Sequence, residues 1–421
     1  MMDIASGVDE QGEDRWSCPC KTFQKNHAQR PEGFAEGEEM NFELTNRQKQ
    51  IRMAAREFAE GEFPVVAREY DRKEEFPREL WKKACELGFI GLFIKKEYGG
   101  LGLGFLEFAM VMEEFWRVDP GCGNILLTTF GAELIQLYGT EEQKKKYLPP
   151  LTKGKAIMGT AITEPDAGSD ILSILTLARR EGDHYVINGA KQFITNGSIA
   201  HYLVVFCLTH PEAGSRLKRF GVVIVETDRP GFGALKITGK LGIRASDTAE
   251  LRFSDVRVPK DNLVGGKEGE GFSQIMQLFN INRVIAASQG VGVAQGALDK
   301  AIQYVKKRKQ FGQPLATFQA IQFKIAEMAT WVEAARTLTY KAGWMVDRGK
   351  VDPKLISIAK YIAGEVGVKV TNDALQLHGG YGYIAEYDIE RFYRDAKIVE
   401  IYEGAKEIEK NTIARELLGR V

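Results

Sequence analysis

The sequence has few cysteines, and no two of them form a CxxC pair. Its five cysteines are scattered over 421 residues without a CxxC motif. A disulfide framework and a zinc site are therefore not expected. We expect structural thiols in a reducing compartment.

Long apolar runs and net charge are also lacking. The longest apolar stretches, Tyr202–Leu208 and Phe220–Val225, are far shorter than the roughly 20 residues that cross a bilayer. We interpret them as buried strands and expect no transmembrane segment.

The 57 basic and 57 acidic side chains give zero formal net charge, so the chain has no long-range field to gather nucleic acid or anionic lipid. Any anionic ligand must be held by local groups.

The composition favours a folded chain with more than one domain, since 44% of the residues are hydrophobic and 10% aromatic. Residues 1–40 differ, because they are rich in Gly and charged side chains and lack the apolar core of a secretory signal. We expect a disordered extension there, or a misassigned start before Met40.

Three blocks follow. Residues 41–155 show helix-period patterns such as PRELWKKACELG, and residues 156–270 alternate β-branched and aromatic residues between Gly, Asn and Pro. Residues 271–421 return to long helical patterns in four segments. This order predicts an α+β multidomain protein with an N-terminal all-α domain, a central β domain and a C-terminal four-helix bundle.

A nicotinamide cofactor is disfavoured. The order of elements has no βαβ alternation, and neither EYGGLGLGF nor GVGVAQG has the GxGxxG spacing or lies between a strand and a helix.

Several segments have two interpretations on local grounds. The run Ile162–Asp170 is either a plain turn or a loop that offers hydroxyl and N–H groups to an electron-rich ring or phosphate. Phe193–Gly197 fits a core strand end or a ring-stacking site. The charged run Lys306–Lys309 is a solvated helix end or a diphosphate clamp. Glu403, between an aromatic and a glycine at a helix break, is a surface charge or a desolvated base.

Taken together, these segments resemble one family. ITEPDAGSD, QFITNG, RKQFGQPL, QLHGGYGY and RDAKIVEIYEG occur jointly and in this order, and from about Leu44 to the end the chain resembles the acyl-CoA dehydrogenases. The resemblance implies a central β-barrel-like domain between the helical domains, an FAD cofactor and a homotetramer.

The resemblance also implies site residues. Residues that would contact FAD are Thr160, Ile162, Thr163, Gly168, Ser169, Phe193 and Thr195 around the ring, Arg308, Phe311, Gln319, Gln376, Gly379 and Gly380 at the adenosine diphosphate across a subunit interface, and Ala405 and Glu407. Residues that would contact the acyl-CoA are Ser169, Asn280, Arg283 and Gly404. Glu403 takes the place of the catalytic base.

Some family members carry the base immediately before the position of Arg283, but Asn282 stands there and cannot act as a base. The chain departs from the family pattern at three positions. Phe193 replaces the common Trp, and Ala405 and Glu407 replace Thr and Gln.

The implied function is α,β-dehydrogenation of an acyl-CoA thioester to a 2-enoyl-CoA, with electrons passed to electron-transferring flavoprotein. Alternative functions on the same fold are those of an enoyl-CoA reductase, an acyl-CoA oxidase and a flavin monooxygenase. A non-catalytic acyl-CoA-binding protein is a hypothesis from a different functional class. We expect a cytoplasmic enzyme, with the mitochondrial matrix as the other compartment. Short, branched, alicyclic and dicarboxylic acyl groups all stay open.

Overall fold

The computed structural model describes residues 43–419. The expected disordered extension over residues 1–40 lies outside the described residues.

The first block is helical. Helix α1 begins with a capping box, in which the Thr45 hydroxyl accepts from Gln48 N–H and the Gln48 side chain accepts from Thr45 N–H. The helices are α1 (Asn46–Lys73), α2 (Arg78–Glu86), α3 (Phe105–Val118), α4 (Pro120–Gly123), α5 (Ala132–Tyr138) and α6 (Glu141–Thr152). Helix α3 is buried on nearly every side, and its carboxylates Glu113 and Glu114 are paired with arginines of α1 and of a later helix.

A curled seven-stranded sheet follows. Its strands are β1 (Met158–Ala161), β2 (Leu177–Glu181), β3 (His184–Thr195), β4 (Tyr202–Leu208), β5 (Phe220–Glu226), β6 (Phe232–Lys236) and β7 (Thr248–Pro259). The order is β1-β4-β2-β3-β7-β6, with β5 on the other side of β4. Strand β1 runs parallel to β4, with Thr160 opposite Val204, whereas β3 and β7 are antiparallel. The apolar runs interpreted as strands are β4 and β5, and both are buried.

The third block is again helical, with α7 (Gly271–Lys307), α8 (Gln319–Asp347), α9 (Pro353–His378), α10 (Ile389–Ala396) and α11 (Lys406–Leu418). A short hairpin of β8 (Lys309–Gln310) and β9 (Gln313–Pro314) joins α7 to α8. Helix α7 packs on α3, α8 and α9. Its Gly292 and Gly296 allow this approach, because a Cβ there would lie 2.5 Å and 2.0 Å from the backbone oxygens of Glu113 and Arg117.

The predicted fold class, helices followed by a curled sheet and a second helical domain, is confirmed. The described helices include none that is long and apolar enough to span a membrane.

Candidate active site

Glu403 lies in a five-residue turn between the short helical segment Lys397–Glu400 and α11. Its φ is 53°, in the left-handed region that a non-glycine residue rarely adopts. Two buried cations hold this turn. Arg283 Nε donates to the Glu403 carbonyl at 3.3 Å, and the Lys360 ammonium donates to the Gly404 carbonyl. The strained conformation is therefore fixed by neighbouring helices, which is typical of a functional position.

The same cations meet a second carboxylate. Arg283 Nε lies 2.9 Å from Oε1 of Glu409, and both side chains are buried. A Cβ on Gly404 would lie only 2.0 Å from that Glu409 oxygen, and Gly404 also has a φ of 102°. Only glycine fits beside Glu403, because the neighbouring ion pair fills the space that a side chain would need.

The Glu403 carboxyl forms no salt bridge with any of the described residues. Its Oε2 is buried and has no hydrogen-bond partner within residues 43–419. Burial raises the pKa of Glu403 to about 7, although the charges of Arg283 and Lys360 oppose the rise and Glu409 adds to it. A carboxyl with this pKa can take up or release a proton near neutral pH, as a general base or acid requires.

Glu403 is one of the residues that line a cavity beside the turn. Residues of the sheet, of α7 and of the first helical block share its wall. The lining residues are Phe108, Leu126, Leu127, Thr129, Phe130, Glu133, Thr195, Asn282, Ile285, Ala286, Gln289, Tyr402 and Glu403. The structure thus brings together Thr195 and Glu403, which belong to two distant motifs of the sequence.

The loop after β1 is anchored by a buried charge pair. Lys191 Nζ lies 2.9 Å from Glu164 Oε1 and donates to the Ile162 carbonyl at 2.8 Å. Glu164 also accepts from the N–H groups of Leu175 and Thr176. Glu164 is therefore committed to holding the loop. Thr163 is half-buried, and Gly168 and Ser169 are exposed at the outer end of this loop.

Phe193 is turned outward by an irregularity in the sheet. The register between β3 and β7 shifts between Lys191 and Ile194, and Phe193 has a φ of 60°. Such a bulge re-aims a side chain, and Phe193 is left 65% exposed. On β1, the buried Thr160 Oγ1 has no hydrogen-bond partner among the described residues. An uncovered aromatic ring two residues from Thr195, and an orphaned hydroxyl on β1, which packs against β3, fit the binding of a planar ring.

A second cleft lies at the end of α7 and α9. It is lined by Tyr304, Arg308, Gln310, Leu315, Gln376, Leu377, His378, Gly379, Gly380, Tyr381 and Ile384. The guanidinium of Arg308 lies 5.2 Å from the Tyr381 ring centroid. Gly379 has a φ of 60°, and no atom within 4 Å would meet a Cβ on Gly379 or Gly380. An arginine fork beside open glycine backbone is suited to phosphate oxygens.

Family models decide the relationship of this chain. The models for the N-terminal, middle and C-terminal domains of acyl-CoA dehydrogenases match residues 45–155, 159–256 and 269–418. The chain belongs to the acyl-CoA dehydrogenase family.

Similar proteins include "Acryloyl-CoA reductase (NADH)" of Anaerotignum propionicum, which is 46% identical over 90% of this chain and 97% of its own length. Among solved structures, butyryl-CoA dehydrogenase of Megasphaera elsdenii is 38% identical with a TM-score of 0.86, over 90% of this chain and 100% of that one. A chain in the structure of the electron transferring flavoprotein of Acidaminococcus fermentans is 42% identical with a TM-score of 0.87, over 90% and 100%.

Membership of the acyl-CoA dehydrogenase family makes the protein an oxidoreductase acting on CH–CH bonds, with a flavin cofactor. The residues described above fit that cofactor, because the orphaned Thr160 hydroxyl, the uncovered Phe193 ring and the Arg308 cleft are still open to further contacts.

The other residues implied by the family pattern line neither the cavity nor the cleft. Phe311 is at the tip of the β8–β9 hairpin and 93% exposed, and Gln319 is the exposed first residue of α8. Ala405 and Glu407 lie at the start of α11. Asn280 is half-buried on α7 and does not line the cavity, whereas Asn282 does.

Sequence reasoning did not assign five polar residues of the cavity wall to the site: Thr129, Glu133, Asn282, Gln289 and Tyr402. From the sequence, Asn282 is recognised only as a side chain that cannot act as a base. Asn282, Ile285, Ala286 and Gln289 have the spacing of one helix face. A helical projection of the segment around Arg283 would therefore have grouped Asn282 with Gln289. Nothing in the sequence around Glu133 indicates that it is buried.

Proposed function

We propose that this protein is an FAD-dependent acyl-CoA dehydrogenase with Glu403 as its catalytic base, and that short acyl-CoA thioesters are its substrates. The observation that carries the proposal is the unpartnered, buried Glu403 Oε2, which faces a cavity shared with Thr195. A carboxylate that merely stabilised the fold would be paired.

Glu403 removes the proton from the carbon next to the thioester carbonyl. This requires that negative charge growing on the carbonyl oxygen be stabilised, and we assign the backbone N–H of Glu403 to that role. Entry of an apolar acyl chain expels water from the cavity, which strengthens the affinity of Glu403 for the proton. The bound flavin supplies the acceptor for the hydride that leaves the next carbon.

The flavin is FAD in this proposal, because the Arg308 cleft offers a place for a diphosphate that FMN lacks. Arg308, Gln376, Gly379 and Gly380 hold the adenosine diphosphate across a subunit interface, and Thr160, Thr163, Phe193 and Thr195 contact the ring. Phe311, at the tip of the hairpin, and Gln319, at the start of α8, do not line the cleft within one chain. We therefore propose that they act on the cofactor of another subunit in a homotetramer.

The reverse direction is the second candidate. A pKa near 7 leaves both forms of Glu403 populated at neutral pH, so the same carboxyl can return a proton to the carbon next to the carbonyl. The similarity to an acryloyl-CoA reductase supports this direction. We propose electron-transferring flavoprotein as the electron partner in either direction, supported by the similarity to a chain of such a structure. We propose the cytoplasm as the compartment.

The test starts with the purified protein. We expect a flavin absorbance band, release of FAD rather than FMN on denaturation, and a particle of about four times the chain mass of 47.0 kDa by light scattering. Anaerobic titration with butyryl-CoA should bleach the band, and added electron-transferring flavoprotein should restore it. A flavin that is reduced by reduced electron-transferring flavoprotein and reoxidised by crotonyl-CoA, but not bleached by any saturated thioester, would favour the reductase. A colourless protein that cannot be reconstituted would contradict both candidates.

A further inference from the structure

The acyl cavity contains a second carboxyl group. Glu133, at the start of α5, is 3% exposed and lines the same cavity as Glu403. Its Oε2 accepts from Gly131 N–H at 2.9 Å. Burial raises the pKa of Glu133 to about 7, and the charge of Glu403 contributes to that rise, so the two carboxyls are close enough to interact.

The rest of the wall gives Glu133 no counter-ion. No Lys, Arg or His is among the described residues that line the cavity, and Phe108, Leu126, Phe130 and Ile285 make most of the wall apolar. The carboxyl accepts from the backbone N–H groups of Gly131 and of Glu133 itself, but its charge stays costly in this apolar wall unless a ligand adds further hydrogen bonds. A plain alkyl chain supplies none.

A residue with an unsatisfied hydrogen-bond donor lines the same cavity. Asn282 on α7 is 6% exposed, and its Nδ2 has no partner within the described part of the chain. The neighbouring Gln289 differs, since it accepts from the Tyr402 hydroxyl and donates to Asn124 Oδ1 at 3.3 Å. The cavity wall thus presents one unsatisfied amide donor and one carboxyl acceptor.

Among small end groups, a hydroxyl matches both. It donates to a carboxylate and accepts from an amide. An ammonium group has no lone pair for Asn282, and a carboxylate would be buried against Glu133 without a cation, which costs several kcal/mol before any compensation.

We propose that Glu133 and Asn282 make this cavity selective for short acyl thioesters that end in a hydroxyl group and exclude those that end in a carboxylate. This inference rests on the proposed acyl-CoA activity and narrows its substrate class. The hydroxyl must lie beyond the carbon that loses the hydride, so 4-hydroxybutyryl-CoA is the shortest suitable probe. Butyryl-CoA and glutaryl-CoA are the matched probes that end in a methyl and a carboxylate.

The test measures dissociation constants by calorimetry in the FAD-loaded protein carrying Glu403→Gln, so that binding is not followed by proton removal. We expect 4-hydroxybutyryl-CoA to bind at least about 10-fold more tightly than butyryl-CoA, a ratio that corresponds to about 1.4 kcal/mol. We expect glutaryl-CoA to bind at least about 10-fold more weakly than butyryl-CoA.

Variants of Glu133 identify the cause. Glu133→Gln keeps an oxygen for Gly131 N–H and removes the charge, so it should relax the penalty on glutaryl-CoA. Glu133→Met and Asn282→Leu should each reduce the preference for the hydroxyl. Glu142→Gln, an exposed change on α6, is the matched control and should alter neither ratio.

The outcomes separate this inference from the proposed function. If all three thioesters bind equally, or if the weaker binding of glutaryl-CoA does not respond to Glu133→Gln, selection by Glu133 is contradicted while the acyl-CoA activity stands. If no thioester binds to the FAD-loaded protein, the proposed function fails together with the inference.

Discussion

Arg283 and Glu409 form a buried ion pair, with 2.9 Å between Nε and Oε1, directly behind the catalytic turn. The pair joins α7 to α11, and the same Arg283 nitrogen donates to the Glu403 carbonyl. The pair therefore has two effects on Glu403. It fixes the backbone of the turn, and it sets the electrostatic field at the carboxyl.

Removing the Glu409 charge should move the pH profile of dehydrogenation. Ionised Glu403 is the active base, so kcat/KM rises with pH through the pKa of the free enzyme, near 7. Because Glu409 raises this pKa and Arg283 lowers it, Glu409→Gln should shift the rise to lower pH. The measurement is kcat/KM for butyryl-CoA from pH 5.5 to 9. A rise that stays in place or moves to higher pH would contradict the assigned field.

The same Glu409→Gln change should cost stability. It leaves Arg283 buried without its charged partner, and breaking a buried pair in this way costs about 3–5 kcal/mol. Chemical denaturation at pH 7 measures the loss, with the exposed Glu416→Gln on the same helix as control.

Glu403→Gln should stabilise the flavin-free fold at high pH. The pKa of Glu403 is raised in the folded state from 4.5 to about 7, so the ionised carboxyl destabilises the fold increasingly as pH rises between these values. The variant removes this penalty, and we expect a gain of about 1–3 kcal/mol at pH 8. The gain should shrink towards pH 4.5. Denaturation at both pH values, with Glu416→Gln beside it, measures the difference, and an equal gain at both would refute the cause.

Arg308→Ala should weaken FAD retention. The variant removes a charged fork from the cleft that also contains Gln376 and Gly379. Arg308→Lys keeps the charge but loses the paired donors, so it should retain an intermediate amount of FAD. Flavin occupancy after dilution and gel filtration measures the effect, with the exposed neighbour Lys307→Ala as control. Full occupancy in Arg308→Ala would favour a solvated helix end instead.

Phe193→Asn should separate stability from cofactor binding. Phe193 has a φ of 60°, and Asn tolerates that region far better. We expect the flavin-free variant to gain about 1 kcal/mol of stability and to bind FAD more weakly, because the exposed ring is lost. Thermal unfolding without flavin and a flavin titration provide the two readings. A stable variant with unchanged FAD affinity would remove Phe193 from the cofactor site.

The sequence predicted the fold well because long periodic segments carry the information. Helix α7 has 37 residues without proline, and β4 and β5 are continuous apolar runs. Glu403 could be singled out only through its motif, since its pKa depends on its burial and on the charges of Arg283, Lys360 and Glu409, which come from three helices. The domain boundaries at 155 and 270 and the individual contacts to FAD stay predictions.

Other features depend on tertiary contacts that no local pattern encodes. The run AELIQLY is typical of a helix, but it does not indicate that Glu133 points to a cavity that Glu403 shares. Glu164 was part of a loop assigned to the flavin, and its pairing with Lys191 across the sheet shows that its charge holds the loop. The bulge that exposes Phe193 follows from the pairing of β3 with β7, whose partner residues are at least 53 positions apart in the sequence.

The most direct test of Glu403 as the base is anaerobic stopped-flow reduction of the bound flavin by butyryl-CoA in the native protein, Glu403→Gln and Glu416→Gln. We predict that Glu403→Gln binds FAD and butyryl-CoA but is reduced at least about 10²-fold more slowly, as expected for loss of a positioned base, while Glu416→Gln matches the native rate. Reduction of Glu403→Gln at a near-native rate would contradict the assignment of Glu403 as the base.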